Sequence, residues 1–166
     1  MTRLRSFVKG DLDQLHELDR MCFPPGISYS IAELRYFLVS PRCLCWIAEG
    51  DAEQGGVELG GAGSAGLPVF LGFLIVERQR RAGGMSGHII TIDVRPEARR
   101  HGVGKLLMQS AEAQMKREGA NRLVLEVAVD NNAAMAFYGR MGFFRTARIP
   151  EYYPGRLDAE VMEKAI

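Results

Sequence analysis

A junction near the middle of the chain restricts the fold more than anything else in it. Ile89-Ile90-Thr91-Ile92-Asp93-Val94 is β-branched and nearly all apolar, the composition of a buried strand. Soon after it, Val103, Leu106, Leu107, Ser110, Ala111 and Met115 recur at helical spacing, and Gly119 supplies the stop. Between the two stands Arg99-Arg100-His101-Gly102-Val103-Gly104. A strand, a glycine-bearing turn and a helix start, in that order, leave backbone N–H groups without intrahelical acceptors at the positive end of the helix dipole. Such a turn is a cradle for phosphate.

Two well-known cradles are excluded by their missing parts. A P-loop needs a glycine five residues before Gly104 and a hydroxyl after Lys105, but Arg99 and Leu106 stand there. A dinucleotide fingerprint needs a small residue where Leu107 stands, and the surrounding βαβ repeat is absent. What remains, Arg-x-x-Gly-x-Gly at a strand-to-helix junction, resembles the pyrophosphate-binding signature of the GNAT superfamily of acyl-CoA N-acyltransferases. The bland alternative is a basic turn whose glycines serve tight packing.

Composition is that of an ordinary globule. With 166 residues, 47% hydrophobic and 25% charged, the chain is expected to form one domain over residues 1–166 with a proper core. A net charge of +1 argues against binding nucleic acid by phosphate neutralisation. Arg78, Arg80, Arg81, Arg95, Arg99 and Arg100 form a basic cluster that can still hold one polyphosphate, although Arg78 to Arg81 read as solvated hairpin residues. No signal peptide or membrane span is apparent, and Cys22, Cys43 and Cys45 are odd in number and lack metal spacing with His16, His88 or His101. A reduced cytoplasmic setting without a metal site is expected, with Cys43 and Cys45 filling core space.

Along the chain, Thr2 to Val8 reads as a strand and Leu12 to Met21 as a helix, with Leu12, Leu15, Leu18 and Met21 facing a core. Cys22 to Tyr29 must be a loop, because Pro24-Pro25-Gly26 cannot continue a helix. Ser30 with Glu33 forms a capping box for a second helix through Val39. Strands follow at Cys43 to Glu49, Pro68 to Arg78 and Gly87 to Val94, with a Gly-rich connection from Gly50 to Leu67. After the central helix come a strand at Leu123 to Val129, a helix opened by Asp130-Asn131-Asn132, and strands near Phe143 to Ile149 and Ala159 to Lys164. The order β-α-α-β-β-β-α-β-α-β-β denotes an α/β (α+β) domain. It matches the GNAT fold, a mixed, mostly antiparallel sheet of about seven strands with about four helices.

A second block strengthens the resemblance. Leu125-Glu126-Val127, Asn131, Ala133-Ala134, Tyr138 and Gly142-Phe143, with the later Tyr152-Tyr153-Pro154 and Asp158-Ala159, look like the RimI-like branch, whose members acetylate protein N-terminal α-amines. That resemblance implies acetyl-CoA as cofactor. It also implies contacts from the backbone of Ile92, Asp93 and Val94, from Arg99, Arg100, His101, Gly102, Val103, Gly104 and Lys105, and from Asn131 and Tyr138.

Glu126 is the candidate base, since an attacking ammonium must lose a proton and partial burial tunes a carboxylate for that task. An outward-facing strand glutamate fits the alternation equally well. Tyr138 is the candidate acid for the leaving thiolate, or else a core tyrosine beside Ala134 and Met141. His88 stands where related eukaryotic enzymes carry a tyrosine; it either shares the base role or is an exposed residue at a strand start.

Phe23, Pro24, Tyr29, Tyr152 and Tyr153 are the expected walls of a slot for the acceptor. The acceptor implied is a protein or peptide N-terminus, a ribosomal protein among the options, with the chain a monomer or weak dimer and no nucleic-acid or membrane partner. A small-molecule amine acceptor is one rival reading and a non-catalytic acyl-CoA-binding module is another. A covalent route through Cys22 is a third.

Overall fold

The computed structural model describes residues 1–50 and 68–166. Among the described residues the chain forms β1 (Arg3–Ser6), α1 (Leu12–Cys22), α2 (Ile31–Val39), β2 (Cys43–Gly50), β3 (Val69–Arg81), β4 (Gly84–Val94), α3 (Val103–Arg117), β5 (Ala120–Ala128), α4 (Asn132–Arg140), β6 (Phe144–Tyr153) and β7 (Leu157–Ala165). Short 3₁₀ turns at Lys9–Asp11 and Pro96–Ala98 lead towards α1 and α3. The Gly-rich connection expected from the sequence lies, beyond Gly50, outside the described residues.

The strands form one seven-stranded sheet in the order β1-β2-β3-β4-β5-β7-β6. Every pair is antiparallel except β4–β5, whose strands are joined by the α3 crossover that parallel pairing demands. That parallel ladder is short, running from Met85↔Ala120 to His88↔Val124. Beyond it the two strands continue to Val94 and Ala128 without pairing to each other. The edge of β4 from Ile89 to Val94 therefore faces no strand on its β5 side.

Helices cover both faces. Val103, Leu107, Met108, Ala111 and Met115 of α3, with Met135 and Tyr138 of α4, bury against Leu71, Leu74, Leu123 and Leu125 of the sheet. On the other face Leu15, Leu18 and Leu34 of α1 and α2 meet Ile47, Phe73 and Ile75. Each such fully buried aliphatic side chain contributes about 1.5–3 kcal/mol. The capping box forms as expected, with Ser30 Oγ accepting from the Glu33 amide at 3.2 Å and the Ser30 amide donating to Glu33 Oε2 at 2.8 Å.

Some local expectations change. Met21 is exposed rather than core-facing, because the 3.6-residue period carries the inward side of α1 from Leu15 through Leu18 and Asp19 to Cys22 and leaves position 21 to one side. Arg78 is not merely solvated: its guanidinium makes a two-pronged pair with Glu118, and its Nη2 lies 2.8 Å from Glu118 Oε1. Strand β6 runs on to Tyr153, so the tyrosine pair ends a strand instead of lying wholly in a loop. No helix among the described residues is long and apolar enough to cross a membrane.

Candidate active site

The glycine turn is built as a cradle. Gly102 is the N-cap of α3 with φ +84°, and Arg100 two residues earlier also has positive φ, 67°. Gly102 offers no side chain to cap the helix, which leaves the first amides of α3 to external acceptors. Arg99 anchors the turn by donating from Nε to the Val94 carbonyl at 3.0 Å. A Cβ on Gly104 would come within 3.3 Å of Phe137 Cζ, so the absence of a side chain lets the start of α3 approach α4. Arg100, His101, Gly102 and Lys105 are exposed, whereas Val103 is buried. Amides directed outward, a helix dipole and surrounding cations fit a diphosphate.

The unpaired edge of β4, with Ile92, Asp93 and Val94 at its end, leads towards this turn. Across the gap, α4 places Tyr138 in the core, its ring 5.9 Å from that of Phe143. Burial, reinforced by the nearby Asp93 and Tyr153, pushes the Tyr138 phenol well above its usual range, so it stays protonated. Asn131 caps α4, accepting from the Ala134 amide at 3.1 Å.

On the opposite face two further candidates meet just where β4 and β5 stop pairing, at His88↔Val124. His88 Nε2 and Glu126 Oε2 are 2.6 Å apart, with side chains only 20% and 18% exposed. His88 is therefore not an exposed strand-start residue, and Glu126 is not a solvated one. The second ring nitrogen, Nδ1, lies 3.1 Å from Gln79 Nε2 on β3.

Aromatic residues come from two distant segments, and Tyr152 and Tyr153 lie close enough to Glu126 to feel its charge. Tyr152 and Tyr153 stack edge-on at 4.9 Å between ring centroids. Burial raises the pKa of both phenols, and the facing charge of Glu126 raises each further. From the α1–α2 loop, Tyr29 donates from its hydroxyl to the Ile90 carbonyl at 3.2 Å, and burial followed by Tyr152 and Tyr153 raises its pKa. Phe23 caps α1 half-buried, and Pro24 is exposed beside it. A Cβ on Gly26 would meet Pro154 Cγ at 3.4 Å, so the loop and the β6–β7 hairpin touch. The five expected wall residues thus lie on two segments that meet.

Sequence reasoning missed three polar residues. Gln79 reads as a surface hairpin residue, and nothing in its spacing marks its contact with His88. Asp19 and Asp93 are both fully buried. Alternation puts Asp93 inside a buried strand, a signal that an ionisable group there needs a partner. Cys22 lies close by, with Sγ donating to the Val94 carbonyl at 3.4 Å. Burial, then the charge of Asp93, pushes its thiol up to about 11, which suppresses the thiolate a covalent route would need.

Comparison with known proteins finds a match to the model of the acetyltransferase (GNAT) family over residues 12–143. N-alpha-acetyltransferase 30 of Schizosaccharomyces pombe is 38% identical over 91 residues, 54% of this chain and 61% of that protein. The chain thus spans less than two thirds of that relative. An uncharacterized N-acetyltransferase of Methanocaldococcus jannaschii is 30% identical over 162 residues, 97% of this chain and 90% of that one. Among solved structures, the ribosomal-protein-S18-alanine N-acetyltransferase of Escherichia coli superposes with a TM-score of 0.75 at 22% identity, covering 100% of this chain and 94% of that one. At that identity the likeness speaks for the fold alone.

Proposed function

The chain belongs to the acetyltransferase (GNAT) family, and from that premise we propose that it moves an acetyl group from acetyl-CoA to the N-terminal α-amine of a protein by direct attack in a ternary complex. The observation that carries the reading is the Glu126–His88 pair, half-buried within electrostatic reach of Tyr152 and Tyr153 where β4 and β5 cease to pair. When bound, the coenzyme supplies an acetyl thioester, with an electrophilic carbonyl and a sulfur leaving group. The backbone amides of Arg100, His101, Gly102, Val103, Gly104 and Lys105 would hold its diphosphate, beside the side chain of Arg99, whose own amide is taken by the Pro96 carbonyl. The backbone of Ile92, Asp93 and Val94 and the side chain of Asn131 would hold the arm that reaches the gap.

The remaining chemistry falls to side chains. An α-amine with a pKa of about 8 is mostly ammonium near neutrality and must lose a proton before it attacks. Glu126, paired with His88, takes that proton. Tyr138, kept protonated by burial, donates one to the departing sulfur. Strand N–H groups at Ile92 to Val94 stabilise negative charge as it builds on the carbonyl oxygen. Phe23, Pro24, Tyr29, Tyr152 and Tyr153 frame the entrance, admitting an extended chain end and excluding a folded surface.

The test is acetyl-CoA turnover with peptides differing in their first residue, including a ribosomal-protein N-terminus, read by mass spectrometry of the modified amine. Small amines serve as the competing arm. Turnover on peptides, blocked by prior N-terminal formylation, is the expected result. Turnover on small amines alone moves the acceptor to that class. Coenzyme binding without turnover on any amine rejects the enzymatic reading.

A further inference from the structure

We infer that Gln79 fixes His88 as the neutral tautomer protonated on Nε2, which makes His88 a hydrogen-bond donor that positions Glu126 and not a second base. The catalytic consequence rests on Glu126 being the base as proposed above, whereas the tautomer follows from hydrogen bonding alone.

Glu77 lies directly across the β3–β4 ladder from His88, and Gln79 pairs with Ser86 two positions along, so all three side chains share a face. Glu77 Oε1 pairs with Arg42 at 3.0 Å, and Glu77 Oε2 lies 3.1 Å from Gln79 Nε2. Carboxylate oxygens only accept, so the end of the Gln79 amide facing Glu77 must be its NH₂. The reverse orientation would set a carbonyl oxygen against a carboxylate.

That NH₂ has a second hydrogen, and Nε2 is 3.1 Å from His88 Nδ1. A ring nitrogen facing an N–H donor must present its lone pair, so the single ring proton resides on Nε2. Nε2 is 2.6 Å from Glu126 Oε2 and donates to it. An imidazolium in this place would set N–H against N–H at Nδ1.

Two consequences follow for the reaction. Glu126 Oε2 is occupied by the His88 donor, which fixes the carboxylate plane and leaves Oε1 for the proton of the incoming ammonium. No proton passes outward through the ring either, because its far side ends on an amide N–H that neither accepts nor releases one. His88 is thus a positioning residue, and Gln79 positions it in turn.

The experiment is long-range ¹H–¹⁵N correlation on the full chain labelled at histidine. The chain has three histidines, and the His88 signals are identified by their loss in His88→Gln. A protonated Nε2 with an unprotonated Nδ1 at neutral pH is the expected pattern. Gln79→Leu, which leaves no amide donor facing Nδ1, is expected to let that nitrogen take up a proton and give an imidazolium beside Glu126, and Gln79→Lys, which keeps a donor between Glu77 and Nδ1, to restore the neutral Nε2–H form. An Nδ1–H tautomer or an imidazolium in the unmutated protein overturns the inference, as does an Nδ1 that stays unprotonated in Gln79→Leu.

In turnover, a glutamine at 88 can donate to Glu126 but cannot take a proton, so His88→Gln is expected to keep kcat within about tenfold. A loss as deep as the ~10²–10⁴-fold typical of removing a base assigns His88 to proton transfer instead and overturns the positioning role. Full turnover in Glu126→Gln with the expected tautomer intact would sink only the assignment of Glu126 as base.

Discussion

The carboxyl groups of Asp19 and Asp93 lie close enough to feel each other inside the fold, both wholly removed from solvent. Asp19 Oδ2 accepts from the Tyr29 amide at 2.7 Å, and Asp93 Oδ1 accepts from Thr91 Oγ1 at 2.5 Å. The two oxygens left over, Asp19 Oδ1 and Asp93 Oδ2, find no donor elsewhere. A proton held between the two carboxyls would satisfy both. The pair thereby ties the α1–α2 loop, through Tyr29, to the end of β4.

This pair makes stability depend on pH in a direction opposite to most carboxylates. Burial pushes the Asp19 carboxyl up to about 6 and Asp93 well above the usual carboxylate range, where the charge of Asp19 adds to burial. An acid whose pKa is raised on folding stabilises fully below its unfolded value and loses that contribution as pH rises through the folded value. The protein is expected to lose stability on account of this pair as pH rises from about 4, through pH 6 for Asp19 and further up for Asp93. Asp93→Asn keeps a donor towards Asp19 without a titrating proton. At pH 8 it is expected to raise Tm by a few degrees, on the order of 1 kcal/mol, with no gain at pH 4. Thermal melts of both proteins across that range are the check, and parallel pH slopes would contradict it.

Glu126→Gln and Tyr138→Phe separate chemistry from binding. Both are close to isosteric, and Phe at 138 keeps the contacts with Phe137 and Phe143. Removing a general acid or base costs about 10²–10⁴-fold in rate. Each variant is expected to lose kcat in that range while calorimetry shows coenzyme affinity within about twofold. Loss of affinity in step with rate would place these residues in binding instead.

Glu118 at the end of α3 tests how far an ion pair supports the scaffold under the site. Arg78 makes a two-pronged contact with it, Gln114 adds a donor at 2.7 Å, and the guanidinium holds the carboxyl down at about 2. The contribution is present above the unfolded carboxylate pKa and lost as pH falls towards 2. With side chains 28% and 22% exposed, the pair is worth about 1 kcal/mol. Glu118→Gln is expected to lower the unfolding free energy from urea titration at pH 7 by that amount, and the gap to the parent should close below pH 3.

Much of this architecture was legible because its signals are local. The Ser30–Glu33 box, the β-branched run ending at Val94 and the glycines of the turn each specify a short piece of backbone without help from distant residues. The site was legible only in part. Glu126 and Tyr138 stand in motifs that a resemblance can flag. The His88–Glu126 contact depends on the parallel register of β4 and β5, set by the α3 crossover and not by either strand. Gln79 depends on a further register, that of the β3–β4 hairpin, and its polarity alone suggests only a surface. Asp19 on α1 finds Asp93 through tertiary packing that neither helical nor strand periodicity encodes.

Gly102 joins backbone conformation to binding, and a substitution there tests both at once. At φ +84° an L-residue pays about 1–2 kcal/mol, more if β-branched, even though a Cβ would meet no atom within 4 Å. Gly102→Val is therefore expected to destabilise through strain alone, by roughly 2 kcal/mol, and to turn the first amides of α3 away from a common focus. Lys105→Ala provides the contrast, since Lys105 is exposed and its removal takes away charge without straining the turn. Calorimetry with coenzyme A should show Gly102→Val weakened at every salt concentration. Lys105→Ala should lose affinity mainly at low salt, where an exposed cation is least screened. If coenzyme affinity survived in Gly102→Val while its Tm fell as expected, the amides of this turn would hold no diphosphate, and the cradle would have to lie elsewhere.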